Sequence, residues 1–172
     1  MTLGLGVAAQ QFAWRDSNGD PMPDTEARKS SGGFGGWLLT TSDQDWEAKW
    51  NTPEHVTPSF TEAETVREGE TVYTLIFMVN PLPNSSGDVD VRCDIRVTRP
   101  NGTLSLDRSD LSCLSGELAA NPNNIQLSPN VLAFLGEDGD PAGTWIMDVT
   151  LRDVPRDVAL VLRASFELLS DG

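Results

Sequence analysis

The chain has 172 residues and a formal net charge of −14 at pH 7, from 12 Lys and Arg against 26 Asp and Glu. This length is enough for one domain with a complete hydrophobic core. The excess of acid argues against nucleic acid or an anionic membrane surface as partner, because both require clustered basic residues. No apolar run reaches the roughly 18 residues of a membrane-spanning helix, so we predict a chain that does not span the membrane.

The N-terminal stretch "TLGLGVAAQ" is apolar, small and uncharged. One interpretation is the end of a signal peptide, since Val7-Ala8-Ala9 fits the small-x-small rule for cleavage before Gln10. The other is a strand in which Leu3, Leu5 and Val7 share one face and pair with a sheet edge, their own or a neighbouring subunit's. Both interpretations stay open at this point, and both concern residues 2–9.

An acidic stretch follows, "DSNGDPMPD", with oxygen-bearing side chains at alternating positions. It resembles the Asp-x-Asn-x-Asp-Gly calcium loops of bacterial surface proteins. The resemblance implies five calcium ligands, which are the side chains of Asp16, Asn18, Asp20 and Asp24 and the carbonyl of Met22. The alternative is an Asx-rich turn in solvent, because Pro21 stands where those loops have glycine and no bidentate acid closes the loop. Calcium is the only cofactor that the sequence suggests.

A glycine-rich run and a tryptophan-rich segment come next. "KSSGGFGGWLL" predicts a mobile or tightly turned segment because of its four glycines. "SDQDWEAKW" predicts one short helix, capped by Ser42 or Asp43 and carrying Trp46 and Trp50 on one face. Trp37, Trp46 and Trp50 are therefore candidate interaction residues, since exposed aromatic side chains stack on sugars and anchor protein interfaces. The alternative is that the tryptophans fasten the helix to the rest of the fold.

The remaining segments predict strands. "TVYTLIFMV" is strongly apolar, and "VDVRCDIRVT" alternates without a fault, which places Cys93 on a buried face. Cys93 and Cys113 are the two cysteines of the chain, and a hairpin brings them together. We predict a disulfide between them in an exported protein, with two buried free thiols as the alternative.

The last two strands, "TWIMDVTLRD" and "VALVLRASFELL", also alternate and are joined by the reversal "VPRD". Short strands, Pro/Gly/Asn turns and almost no helix predict an all-β fold, an antiparallel immunoglobulin-like or jelly-roll β-sandwich. We expect one short helix and an irregular N-terminal extension. The extension is residues 1–50 and the sandwich domain is residues 51–172.

The stretches "GDPAGTWIMDVTLRDVPRDVALVLRASFEL" and "IRVTRPNGTLSL" resemble hairpins of extracytoplasmic immunoglobulin-like and jelly-roll modules. The resemblance covers about Thr71–Leu169. It implies a sandwich fold and an exported location, in the periplasm or at the cell surface. It brings no catalytic residues with it.

Enzymatic activity is not expected from these residues. The sequence has no Gly-x-Ser-x-Gly motif, and its sole histidine, His55, lies between prolines. The sequence predicts a non-enzymatic envelope or surface module that acts through a protein partner, by self-association or as an assembling subunit. The alternative is a calcium-stabilised module that binds carbohydrate or another ligand, which exposed and coplanar tryptophans would favour.

Overall fold

Ten strands and one helix build the fold in the described part of the chain. The computed structural model describes residues 12–53, 56–121 and 123–170. Its elements are β1 (Arg28–Ser31), β2 (Phe34–Thr41), α1 (Trp46–Trp50), β3 (Thr65–Val66), β4 (Thr71–Val79), β5 (Asp88–Thr98), β6 (Leu104–Glu117), β7 (Gln126–Leu127), β8 (Leu132–Leu135), β9 (Gly143–Asp153) and β10 (Val158–Leu168). The predicted all-β sandwich with one short helix is confirmed.

The strands form two sheets that pack face to face. In the first sheet β1, β2 and β4 are neighbours, and β7 and β8 both pair with the other side of β4. The second sheet has the order β3-β10-β9-β5-β6. The pairings are antiparallel, except that the two residues of β3 run parallel to the end of β10. The chain therefore passes from the first sheet to the edge of the second between β2 and β3.

Strict alternation makes the second sheet apolar inside and polar outside. In β9 and β10 the predicted inward side chains, among them Trp145, Val149 and Leu162, are buried between the sheets. In β5 the same pattern buries Cys93 and Ile95. The outward positions carry Arg and Asp side chains that pair across strands. The inward and outward faces of this sheet follow the sequence pattern.

The central strand of the first sheet is buried on both faces. Ile76 and Met78 face the second sheet, whereas Leu75 and Phe77 face a separate apolar cluster on the opposite side. Strands buried on both faces have continuous rather than alternating apolar sequences, as "TVYTLIFMV" has. That second cluster also contains Trp14 and, around it, half-buried aromatic side chains from β2, α1 and the segments beside it. The outer face of the first sheet is thus covered by the protein's own chain.

The glycine-rich run is a strand as well as a turn. Gly32 and Gly33 form the β1–β2 turn with positive φ of 55° and 86°. The prediction of a mobile or tightly turned segment is wrong for the residues after them, because β2 pairs with β4 from Gly35↔Val79 to Thr41↔Tyr73. This pairing crosses the boundary that the sequence placed after residue 50.

Close packing explains why glycine is used inside this strand. A Cβ on Gly35 would lie 2.7 Å from Nε1 of Trp14, and a Cβ on Gly36 would lie 2.8 Å from Cδ1 of Leu151. These two glycines let side chains pack directly against the backbone of β2 from both faces. Sequence reasoning treated them only as turn formers.

Candidate functional site

The predicted disulfide is present between β5 and β6. Cys93 and Cys113 are bonded with a Cα–Cα distance of 5.8 Å, and both side chains are fully buried. The bond lies at an irregularity of the β5–β6 register, where Cys93 is opposite Leu111. Nδ2 of Asn130 donates a hydrogen bond to the carbonyl of Ser112 beside it. The disulfide ties the edge strand β6 to the sheet from the core side.

The acidic stretch forms a turn that is held by its own hydrogen bonds. Oδ1 of Asp16 accepts the backbone N–H groups of Asn18 and Asp20 at 2.8 and 2.9 Å. Oδ1 of Asp24 accepts the N–H of Ser30 at 3.0 Å. This is the Asx-turn alternative, in which carboxylates satisfy backbone donors.

The three aspartates among the five predicted calcium ligands, Asp16, Asp20 and Asp24, are not grouped to hold a metal ion. Among residues 12–53, 56–121 and 123–170, no group of three or more His, Cys, Asp or Glu side chains is placed to hold a metal ion. Calcium prefers six to eight oxygen ligands. The hydrogen bonds of Asp16 and Asp24 match the turn alternative, and the calcium site stays a prediction.

The predicted interaction tryptophans lie on the outer face of the first sheet. Trp46 packs on Tyr73 with rings tilted by 47°, and Trp50 packs on Phe77 with rings tilted by 46°. Trp37 is half-buried in the same cluster. No two of these three tryptophans stack as a coplanar pair, so their arrangement favours the alternative in which they fasten α1 to the sheet.

A charged contact holds the start of this helical segment. Asp43 pairs with Lys49 at 2.8 Å and also accepts the N–H of Thr61. The Lys49 ammonium group lowers the pKa of Asp43 from 3.8 to about 2. The predicted cap at Ser42 or Asp43 is wrong, because α1 begins at Trp46 and Asp45 occupies its N-cap position. The remaining predicted interaction residues, Leu3, Leu5 and Val7, lie outside the described residues.

A polar group that joins three connections lies at one end of the sandwich. Three connections meet there, and we call them the loop end: the β1–β2 turn (32–33), the β4–β5 connection (80–87) and the β9–β10 turn (154–157). The Arg156 guanidinium joins all three. It donates to Oδ2 of Asp153 at 3.0 Å, to the carbonyl of Gly32 at 2.7 Å and to the carbonyl of Asn80 at 2.9 Å.

Asp153 is the buried partner in this group. Its side chain has no exposed area, and its Oδ2 also accepts the backbone N–H of Leu82 at 3.0 Å. Burial raises the pKa of Asp153, whereas the contacts with Leu82 and Arg156 act in the opposite direction. Its other oxygen, Oδ1, has no hydrogen-bond partner among the residues that the structure describes. We call the Asp153–Arg156 pair and its backbone partners the loop-end clamp.

Asn80 adds a further contact to the clamp. Its backbone has a positive φ of 56°, a conformation that asparagine adopts more readily than most residues. Its Nδ2 donates to the carbonyl of Gly33 at 2.9 Å. Asn80 therefore fastens the β4–β5 connection directly to the β1–β2 turn through its side chain, and to the β9–β10 turn through its carbonyl, which accepts from Arg156.

The clamp supports exposed apolar side chains. Leu82, whose backbone N–H donates to Asp153, is 38% exposed. Val154, which follows Asp153 in the sequence, is 49% exposed. A hollow of about 690 Å³ lies beside the clamp and shares Gly33 and Asn80 with it. Ile125, also exposed, lines that hollow. The loop end thus combines fixed backbone with apolar surface.

Sequence reasoning missed the clamp, although one signal for it was present. Inward positions of β9 run from Trp145 through every second residue, and Asp153 continues that series. An acid at an inward position must find a partner, because a buried unpaired charge is very costly. The partners themselves were not visible, since Gly32 and Asn80 are 124 and 76 residues from Arg156 in sequence.

Comparisons with known proteins add little to this description. Neither protein-family profiles nor curated protein sequences give a match. A family 123 glycoside hydrolase from Clostridium perfringens is similar with a TM-score of 0.42 and 12% identity, over 80% of this chain and 27% of that one. This chain therefore spans about a quarter of that hydrolase.

Two smaller proteins are similar at the same level. A CARDB domain from Pyrococcus furiosus, solved with di-metal ions, has a TM-score of 0.37 and 14% identity, over 62% of this chain and 81% of that one. A Niemann-Pick type C2 protein from Japanese carpenter ant has a TM-score of 0.39 and 10% identity, over 77% and 89%. Likenesses this distant carry no argument about function. The class of the protein, an all-β sandwich with a buried disulfide, rests on its own strand pairing.

Proposed function

We propose that the protein is an exported, non-enzymatic β-sandwich module that binds a protein partner through its loop end. The observation that carries this proposal is the loop-end clamp, in which Arg156 fixes three connections at once. Binding surfaces are commonly loops held by a rigid scaffold. Loops that are already ordered lose less conformational entropy on binding, which leaves more of the interaction energy for affinity.

The apolar side chains of the loop end supply the contact area. Leu82 and Val154 project from connections that the clamp holds in place. Interface energy concentrates in a few central side chains that become fully buried. Such side chains are effective anchors only where the backbone beneath them does not move.

Charge favours a basic partner over a second copy of this chain. At a net charge of −14, copies repel one another, whereas a partner rich in Lys and Arg is attracted over a longer range. We therefore expect a partner whose apolar contact is surrounded by basic residues. Self-association is the competing outcome of the experiment below.

Export and the absence of catalysis are parts of the same proposal. A buried disulfide supports an oxidising compartment, that is, the periplasm or the cell surface. In the described part of the chain, no helix is long and apolar enough to cross a membrane. Asp153, whose pKa is raised by burial, is engaged in holding loops, which supports a structural rather than a catalytic role for it.

The test compares two exposed valines in different places. Val154 lies in the loop end, and Val161, 57% exposed, lies on the outer face of β10. The parent is used to capture proteins from an extract of the source organism, and mass spectrometry identifies them. Each captured protein is then purified and titrated against the parent, Val154→Asp and Val161→Asp. We expect Val154→Asp to weaken binding about tenfold or more, and Val161→Asp to leave it near the parental value.

Three outcomes would overturn the proposal. The loop end is not the binding surface if the two variants bind the purified partner equally. The module is not a protein-binding one if no protein captured by the parent binds it saturably once purified. If light scattering shows that the parent is a dimer and that Val154→Asp is a monomer, the partner is a second copy rather than a basic protein.

A further inference from the structure

A cavity of about 240 Å³ lies between the two sheets, at the side where their edge strands β6 and β8 face each other. It shares no lining residue with the loop end or with the hollow beside it. Both sheets contribute side chains to it. The cavity is therefore a separate feature from the proposed protein-binding surface.

Most of the cavity wall is apolar. Besides Ala133, six larger apolar side chains from five strands form that part: Val97, Leu106, Leu132, Phe134, Met147 and Phe166. Phe134 is held in place by Trp145 and Phe166, with ring centroids 4.6 and 4.7 Å away. Apolar cavities of this kind hold water poorly and accept apolar guests. A fixed aromatic wall gives such a guest a defined shape to fit.

Two polar side chains line the cavity: Ser105, which is exposed, and Thr74, which is buried. Thr74 lines the cavity, and its Oγ1 lies 2.9 Å from Oγ1 of Thr40, with both side chains buried. Each hydroxyl carries one hydrogen, and the contact between them uses only one of the two. When Thr40 is the donor in this contact, the hydroxyl hydrogen of Thr74 is left for an acceptor atom in the cavity. A guest with one suitably placed oxygen would satisfy it.

The cavity is open to solvent. Ser105 on β6 and Ala133 on β8 line it and are exposed. These two strands belong to different sheets and do not pair with each other. A small molecule can therefore enter between them without breaking a strand ladder.

We propose that this cavity binds a small apolar molecule that has a single oxygen acceptor. The volume lies between the roughly 150 Å³ of a cavity that holds benzene and the roughly 300 Å³ of the smallest drug-sized sites. A bicyclic aromatic alcohol fits this range. The oxygen accepts the spare hydroxyl hydrogen of the Thr40–Thr74 pair, and the rings contact Phe134 and Leu106.

The experiment titrates 2-naphthol into the labelled protein and follows amide chemical shifts by NMR. Leu106→Phe fills the cavity, whereas Leu104→Phe adds the same ring on the same strand at an exposed position outside the cavity wall. We expect saturable shifts around Val97 and Leu132 in the parent and in Leu104→Phe, and binding weakened about tenfold in Leu106→Phe. Val97→Leu, a smaller filling change, should weaken binding about threefold and serves if Leu106→Phe does not fold.

The role of the Thr40–Thr74 hydroxyl pair is tested by comparing the affinity for 2-naphthol with the affinity for naphthalene. The parent should prefer 2-naphthol, and Thr74→Val should reduce that preference to about one. The cavity is not a ligand site if the parent shows no saturable shifts around it, or if the filling variants bind as well as Leu104→Phe. If Thr74→Val keeps the preference, the hydroxyl pair does not recognise the oxygen.

Discussion

Arginine–aspartate pairs occur in two regions of the molecule, at the loop end and on the outer face of the second sheet. At the loop end the side chains of Asp153 and Arg156 are 0% and 19% exposed. On the sheet face the side chains of Asp94 and Arg152 are 40% and 34% exposed. The same chemistry is therefore placed in two different environments.

The environment decides what each pair does. Exposed pairs gain little because water and salt screen them, and they typically contribute about 0–1 kcal/mol. A buried charge that loses its partner has no water to replace it, so breaking such a pair costs about 3–5 kcal/mol. The sheet-face pairs keep an open surface polar, whereas the loop-end pair fixes three connections.

Removing the arginine of the loop-end clamp is expected to have the largest effect. Arg156→Ala should lower the free energy of unfolding by about 3–5 kcal/mol, because Asp153 is left buried and unpaired. Urea unfolding followed by circular dichroism measures it. As the control, Asp153→Ala combined with Arg156→Ala should recover part of the loss; a single-variant loss below about 1 kcal/mol would mean that the clamp is not buried in solution.

The disulfide beneath the sheet-face pairs is expected to matter more than the pairs do. Replacing Cys93 and Cys113 by Ala should cost about 3 kcal/mol in the chain-entropy model for a loop of this length, with a separation of 20 residues. Urea unfolding of the double variant measures this. Intact-mass analysis after alkylation without reduction is the control, and two alkylated thiols in the parent would contradict the account.

Acid should change the stabilising contributions of Asp43 and Asp153 differently, because the pKa of Asp43 is lowered and the pKa of Asp153 is raised. Asp43 has a folded-state pKa of about 2, below its ordinary 3.8, so its stabilising contribution is present above about pH 4 and lost as the pH falls toward 2. Burial raises the pKa of Asp153 above its ordinary 3.8. The stability that its protonated form contributes therefore declines as the pH rises above about 3.8. Urea unfolding between about pH 5 and pH 2 should show a smaller loss in Asp43→Asn than in the parent. Equal losses would contradict the Asp43–Lys49 contact.

Removing an arginine of the sheet face should have a small effect. Arg152→Ala should lower the free energy of unfolding by less than about 1 kcal/mol, and the loss should shrink in about 1 M salt as the exposed pair is screened. Urea unfolding at low and high salt measures both. A loss as large as that of Arg156→Ala would remove the distinction between the two regions.

Calcium should have no effect on stability. Because Asp16 and Asp24 already accept backbone N–H groups, we expect no rise in melting temperature at millimolar calcium. Differential scanning calorimetry with and without the ion measures this. A rise that Asp16→Ala combined with Asp20→Ala abolishes would restore the calcium-binding alternative.

Local patterns predicted the parts of the fold that local patterns determine. Alternation along β5 and along the β9–β10 hairpin identified the inward side chains, and a buried cysteine on β5 pointed to the disulfide with Cys113. These features depend on the alternation of inward and outward side chains along a strand and on residue pairs that are close in sequence. They were predictable for that reason.

Features that depend on distant segments were not predictable in this way. In the sequence, Gly35 and Gly36 indicated a turn. Only the positions of Trp14 and Leu151 in the folded protein show that these residues are glycines because a side chain would not fit there. The loop-end clamp joins three connections, and the cavity is lined from both sheets. A single sequence carries no signal for contacts at such separations, apart from the acid at an inward position of β9.

The most direct test of the loop-end clamp is hydrogen exchange at the amide of Leu82, which donates to Asp153 rather than to a neighbouring strand. The account predicts slow exchange of this amide in the parent and fast exchange in Arg156→Ala, measured by NMR under conditions where both proteins are folded. Amides within β9 and β10, such as that of Val149, should stay protected in both. Exchange of the Leu82 amide at an unprotected rate in the parent would contradict the claim that the loop end is held in a fixed shape.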